Sequence, residues 1–165
     1  MLTDVGEYVV GACLQLQEGC DFVGYNIRPP GGGLEGLGEL DVVGLNFKTK
    51  TAYVCEVTTH IRGLLYKTNQ ETVNRIKKKH DRQKKYASEN LLAFDTIRYQ
   101  FWSPVVPRGY ITEHLKKIRC LELIINDEYA KRIAHLADVA RKTTHDAKNP
   151  FFRMLQIIGH LRSED

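Results

Sequence analysis

The chain has 165 residues, 42% of them apolar and 27% charged, proportions that exclude disordered, fibrous and collagen-like classes. A domain of this length buries about two-thirds of its unfolded surface, so it folds without a disulfide or a metal. The formal net charge of +4 is unevenly spread: residues 1–66 hold four basic and eight acidic side chains, whereas residues 67–99 hold nine basic and four acidic ones.

Cys13, Cys20, Cys55 and Cys120 contain no Cys-x-x-Cys pair, which argues for reduced thiols and against a zinc ribbon or a disulfide scaffold. The uncharged stretch Tyr8–Gln17 falls well short of the ~18 residues of a spanning helix. Asp4 and Glu7 lie where a signal peptide carries lysines. The expectation is one soluble, cytoplasmic domain over residues 1–165, with a core at about 3–125 and a C-terminal helical extension at about 128–162.

Taken in chain order, Asp4-x-x-Glu7 caps a first helix that runs to about Gln17, with a stripe of Val9, Ala12, Cys13 and Leu16. Strands follow at Phe22–Ile27, Leu40–Leu45 and Ala52–Val57. A long helix occupies Gln70–Leu92, then a strand at Thr96–Trp102, a short helix at Thr112–Ile118 and a buried strand at Cys120–Ile125. Two helices close the chain at Glu128–Lys142 and Pro150–Leu161, the second with Asn149 as its cap and Pro150 in the first position. The order predicts an α/β domain with a mixed sheet.

Gly31-x-Gly33-x-x-Gly36 spells the dinucleotide fingerprint, but two prolines precede it and a strand follows. The fingerprint needs a helix N-terminus facing the pyrophosphate, so these glycines read as a loop between two strands. The segments Gly38–Leu45 and Thr51–Val57 say more. A tight turn at Lys48-Thr49 pairs Phe47 with Lys50, Leu45 with Ala52, Val43 with Val54 and Asp41 with Glu56. The two acids then face each other with Cβ atoms about 5 Å apart, inside runs too apolar to be a solvated edge. Buried carboxylates persist when paired, protonated or bound to a cation. Either a hard, oxygen-liganded ion such as Mg²⁺ or a neighbouring lysine relieves their repulsion.

Gly6-Glu7, Asn26-Ile27-Arg28, Gly38-Glu39-Leu40-Asp41 and Glu56-Val57-Thr58, in this order, resemble the PD-(D/E)XK nuclease superfamily, and within it the Holliday-junction-resolvase-like and YraN-like proteins. The similarity covers roughly residues 3–102. It implies a restriction-endonuclease-like αβββαβ core with a mixed central sheet flanked by helices, to which the C-terminal helices are added. It further implies that Asp41 and Glu56 ligate Mg²⁺ or Mn²⁺, that Glu7 assists from the first helix and that Glu39 flanks Asp41. The family's lysine falls at Thr58, whose hydroxyl orients water but brings no positive charge to a developing phosphorane. Superfamily members are known to move that lysine onto the following helix.

That helix is strongly basic: Arg75, Lys77, Lys78, Lys79, Arg82, Lys84 and Lys85 crowd eleven positions. Val73, Ile76, Ala87 and Leu91 form its apolar face, with His80 and Gln83 inside the stripe and Lys79 and Lys84 flanking it. If the helix packs on the hairpin, Gln83, His80 and one flanking lysine point toward the carboxylates, with Lys79 the first candidate for the displaced lysine and Lys84 the second. The remaining basic side chains suit phosphate contacts. His60 shares a strand face with Glu56 and Thr58 but lies about 13 Å along the strand, which favours a phosphate or supporting role, with Arg62 and Tyr66 beside it. In the C-terminal helices Phe151, Phe152, Leu155, Ile158 and Leu161 read as core, or as the closure of a homodimer.

The expected function is therefore a divalent-metal-dependent nuclease hydrolysing phosphodiester bonds, in DNA more than RNA, with no membrane partner. The alternative is a nucleic-acid-binding protein of the same fold that has lost cleavage together with the lysine.

Overall fold

The architecture comes from a computed structural model that describes residues 2–29 and 38–162. Helix α1 (Val5–Leu16) leads into strands β1 (Phe22–Ile27), β2 (Leu40–Asn46) and β3 (Thr51–Val57). Helix α2 (Asn69–Asn90) joins β3 to β4 (Thr96–Ser103), and α3 (Tyr110–Leu115) joins β4 to β5 (Leu121–Ile125). Helices α4 (Asn126–Lys142) and α5 (Pro150–Leu161) follow. Among the described residues five strands form one sheet in the order β1-β2-β3-β4-β5. β1, β2 and β3 run antiparallel, while β3, β4 and β5 run parallel. The α/β class with a mixed sheet is as expected. The glycines at 31, 33 and 36 lie outside the described residues.

Alternation along the strands sends side chains to two different layers. Val42, Tyr53 and Cys55 meet Val10, Cys13 and Leu14 of α1, together with Leu136 of α4 and Phe152 of α5. Val43, Ala52 and Val54 face the opposite way, onto Ala87 of α2 and the adjoining Leu91. Phe101 of β4 joins Val73 and Ile76 of α2 and Ile111 and Leu115 of α3. The sheet is thus covered by α1, α4 and α5 on one side and by α2 and α3 on the other. Helices α4 and α5 are therefore part of the main core and not an appendage to it. On α5, however, Ile158 and Leu161 are exposed: Phe152 fills the core, Leu155 packs against it, and the last turns of the stripe run past its edge.

Local chemistry sets the helix ends. Asp4 Oδ1 accepts from the Gly6 amide at 2.8 Å and Glu7 Oε2 from the Asp4 amide at 3.0 Å, the reciprocal box that satisfies two orphan donors. A Cβ on Gly6 would lie 2.2 Å from the Thr59 methyl, so only glycine lets the start of α1 close on the end of β3. Asn149 Oδ1 accepts from the Phe152 amide at 3.0 Å and caps α5.

Helix α2 is locked onto the sheet by a polar group. Gln83 is fully buried, and its Nε2 donates to the carbonyls of Val54 (2.8 Å) and Gln100 (3.1 Å) on neighbouring strands. Gln83→Leu keeps the volume but strands those carbonyls. The variant is expected to lose about 1–3 kcal/mol, read as a lower urea midpoint with an unchanged m value.

Candidate functional site

The β2–β3 ladder follows the expected register: Leu45 faces Ala52, Val43 faces Val54 and Val42 faces Cys55. The next residues beyond that last pair are Asp41 on β2 and Glu56 on β3, near enough for the Asp41 charge to act on Glu56. The connection is a four-residue turn, Phe47–Lys50, closed by the Asn46–Thr51 pair. Asp41 is half-buried, and its Oδ2 accepts the Val57 amide at 2.7 Å, tying the carboxylate to the end of β3. Glu56 is only 3% exposed. Burial pushes its carboxyl up to about 7, and the Asp41 charge adds to the rise, while Lys79 and Arg82 pull it back.

Lys79 supplies the counter-charge, with its Nζ donating to Glu56 Oε1. The Gln83 clamp explains why this lysine arrives there. From Gln83 back to Lys79 the helix descends about 6 Å, and from Val54 to Glu56 the strand advances about 6.6 Å on one face. Fixing Gln83 above Val54 therefore sets Lys79 above Glu56.

Glu7 is buried and shares its face with the fully buried Val10 and Leu14. Its Oε2 also accepts from Asn26 Nδ2 at 3.1 Å, and burial, aided by the Asp41 charge, raises its pKa. Asn26 adopts φ 50°, a left-handed conformation that asparagine tolerates better than most residues. Arg28 Nε binds Glu39 Oε1 at 2.7 Å. The short motifs are thus joined in space: Asn26 to Glu7, Arg28 to Glu39 and Asp41 to the β3 backbone beside Glu56.

Thr58 continues the ladder through its amide, which donates to Trp102 O at 2.9 Å. Its side chain is 7% exposed, and Oγ1 has no hydrogen-bond partner among the described residues. Val57 pairs with Trp102, so the next residue on β4, Ser103, neighbours Thr58; its buried hydroxyl likewise lacks a partner. Nothing in the sequence marked Ser103, since a lone serine after an apolar strand reads as a strand end.

Several expectations need correction. Lys84 does not reach the carboxylates: it pairs with Asp81 at 2.8 Å on the opposite flank of α2, where Lys77 also lies. His80 and Gln83 are buried in the stripe as expected, but they bind backbone and one another, not Asp41 or Glu56. The His80 Nε2 is 3.0 Å from the Arg119 carbonyl and its Nδ1 3.2 Å from Gln83 Oε1. Strand β3 ends at Val57, so His60 does not share a strand face with Glu56. It leaves the sheet with Arg62 in an exposed loop and sits 3.3 Å from the Tyr66 hydroxyl. The Arg75 guanidinium lies 4.1 Å over the Tyr66 ring, and Lys78 and Lys85 project outward, exposed.

No family, curated protein or solved structure matches this chain. Among the described residues no three His, Cys, Asp or Glu side chains form a metal-binding cluster. The site is a carboxylate pair, a half-buried ammonium and a buried hydroxyl at the carboxyl end of β3, where open α/β sheets bind ligands.

The Glu56 carboxyl titrates near 7 in the folded protein against about 4.5 when free. Between those values the folded state holds a proton that the unfolded chain has released, so stability falls as pH rises through that window. Urea midpoints measured at pH 5 and pH 8 are expected to drop more for the wild type than for Glu56→Gln.

Proposed function

We propose that the chain is a divalent-metal-dependent nuclease with a restriction-endonuclease-like core, hydrolysing phosphodiester bonds in DNA. The observation that carries this reading is the delivery of Lys79 from α2 onto Glu56, beside Asp41, where Thr58 occupies the place of the motif lysine. The preference for DNA over RNA rests on the sequence resemblance alone.

The donor set fits a hard cation. Asp41 and Glu56 offer carboxylate oxygens from adjacent strands, and Mg²⁺ uses one or two such groups while keeping most of its waters. When bound, the ion supplies Lewis-acid charge at a phosphoryl oxygen and lowers the pKa of water. Lys79 places an ammonium where negative charge develops, and fixed charge in a water-poor site is often the largest catalytic contribution. The Thr58 hydroxyl, buried next to Glu56, can orient a water but cannot add charge. Arg82, whose charge is felt at Glu56, and Arg75 face the same side of α2 and suit the phosphates that flank the reacting one.

One observation favours a second reading, in which the same surface binds nucleic acid without cutting it. Lys79 already pairs with Glu56, so the carboxylate has a counter-charge without an ion.

Incubation of labelled duplex, junction and single-stranded DNA with Mn²⁺ or Mg²⁺ separates the two. Under the nuclease reading, cleavage stops on chelation and falls at least about 100-fold in Asp41→Asn and Glu56→Gln. Lys79→Met is expected to cut about 10²–10³-fold more slowly. Undiminished cleavage by Lys79→Met removes this lysine from the chemistry. Binding without cleavage on all three substrates, with no Mn²⁺ heat lost in Asp41→Asn, selects the second reading.

A further inference from the structure

The basic residues of α2 do not form one patch. Arg75, Lys79 and Arg82 lie on the flank nearer the carboxylates, whereas Lys77 and Lys84 line an open groove of about 440 Å³ between α2 and the α3–β5 segment. Lys117 and Arg119, beyond the end of α3, form its other wall, and Asp81 contributes a single carboxylate that Lys84 already pairs with. At the end of the groove His114 is stacked on Tyr110 with ring centroids 3.9 Å apart, and the Tyr110 hydroxyl donates to Gln70. The floor is closed by His80, 2% exposed. None of these groups takes part in the Asp41–Glu56–Lys79 cluster, and neither Lys117 nor Arg119 falls within the run of basic residues that the sequence singles out.

We infer that this groove is a second phosphodiester-backbone site, which holds a stretch of the nucleic-acid strand away from the reacting phosphate. The inference rests on the nucleic-acid reading above and extends it to a surface across α2. Charge complementarity is its basis: Lys77, Lys117 and Arg119 face one another across the groove, and a fourth cation, Lys84, is paired with the one carboxylate, Asp81. Lys77 and Lys84 rise from the helix about 10.5 Å apart along its axis. Three of the four cations are lysines, point charges that suit successive phosphates, whereas planar carboxylates favour the arginine fork. An acidic peptide is thus the poorer occupant. Such contacts fix position and carry no base specificity. The groove lies one helix width, about 10–12 Å, from Glu56, so a strand held here reaches the carboxylates only by crossing the exposed basic ridge of Lys78 and Lys85.

The test is binding of the full chain to a fluorescein-labelled 20-base-pair DNA duplex in EDTA, where cleavage plays no part, over a range of salt concentrations. Lys77→Glu/Lys117→Glu is expected to weaken binding at least 10-fold at 100 mM salt and to reduce the salt slope by about two. Lys48→Glu/Lys131→Glu makes the same change in net charge at exposed positions outside the groove and is expected to stay within twofold of wild type. Should the reversal variant fail to fold, Lys117→Ala/Arg119→Ala provides the same reading with an expected loss of about fivefold.

Equal losses in the groove and control variants, or none in either, overturn the site, as does a wild type that binds no DNA. Displacement of the duplex by polyglutamate as readily as by unlabelled duplex also overturns it, in favour of an acidic protein partner. A groove that passes these tests in a chain that never cleaves leaves this site standing and removes the nuclease reading. Cleavage with Mn²⁺ that survives a failed groove does the reverse.

Discussion

The placement of one buried carboxylate governs much of this molecule. Glu56 lies almost fully out of water, on a strand beside which the charge of a second acid, Asp41, is felt. A lone ionised carboxylate in such a place is costly, and a second negative charge nearby makes it worse. Lys79 offsets that cost through a buried ion pair. Breaking a buried pair from one side generally destabilises more than never having formed it. The hairpin and α2 are therefore coupled electrostatically as well as by packing, and the height of the helix over the sheet is a chemical variable. The Gln83 amide, bonded to two strands at once, holds that height. A slip by one turn would bring the guanidinium of Arg75 or Arg82, on the same flank, toward Glu56 in place of the Lys79 ammonium.

A single helix can serve this site and still present a second charged surface because its residues fall on three distinct faces. The buried stripe of Val73, Ile76, His80, Gln83 and Ala87 is bordered on one side by Arg75, Lys79 and Arg82 and on the other by Lys77 and Lys84. Counting the basic run as a block hides this division, because consecutive residues are 100° apart on a helix. It also explains why Lys84, equally close to the stripe in the sequence, ends up paired with Asp81 three residues earlier.

Much of the fold was legible because several local signals agree. The Asp4–Glu7 box, the Asn149 cap before Pro150 and the symmetric apolar pattern around Lys48-Thr49 each fix an element within a residue or two. The hairpin register was readable for the same reason: a one-residue slip would turn Val43 and Val54 onto the wrong face. Periodicity, however, says which face a polar residue shares and not what it bonds. His80 and Gln83 sit where the 3.6-residue period puts them, yet their partners are backbone carbonyls, which carry no signature in the side-chain sequence. The strand expected at Ala52–Val57 does end at Val57, and the placement of His60 failed because it carried the strand's alternation past that end. On α5 the apolar stripe is longer than the core it packs on, so Ile158 and Leu161 looked internal and are not.

Thr58 and Lys79 are the two neighbours of Glu56 that set its charge balance, one neutral and one cationic. A lysine at position 58 would lie beside Glu56 and against the buried Ser103, at a position where Thr58 is only 7% exposed. With Lys79 already on Glu56, two cations would then compete for the same carboxylates, and burying a cation without a partner of its own is unfavourable. A threonine keeps the strand's β-branched character and adds no charge, which leaves the balance of the cluster at two carboxylates and one ammonium. The positive charge is carried by a side chain 16% exposed, anchored in α2 and not in the sheet. Its position depends on how α2 is seated. The charge at the carboxylates is therefore set by helix docking, where a strand-borne lysine would have been set by the sheet itself.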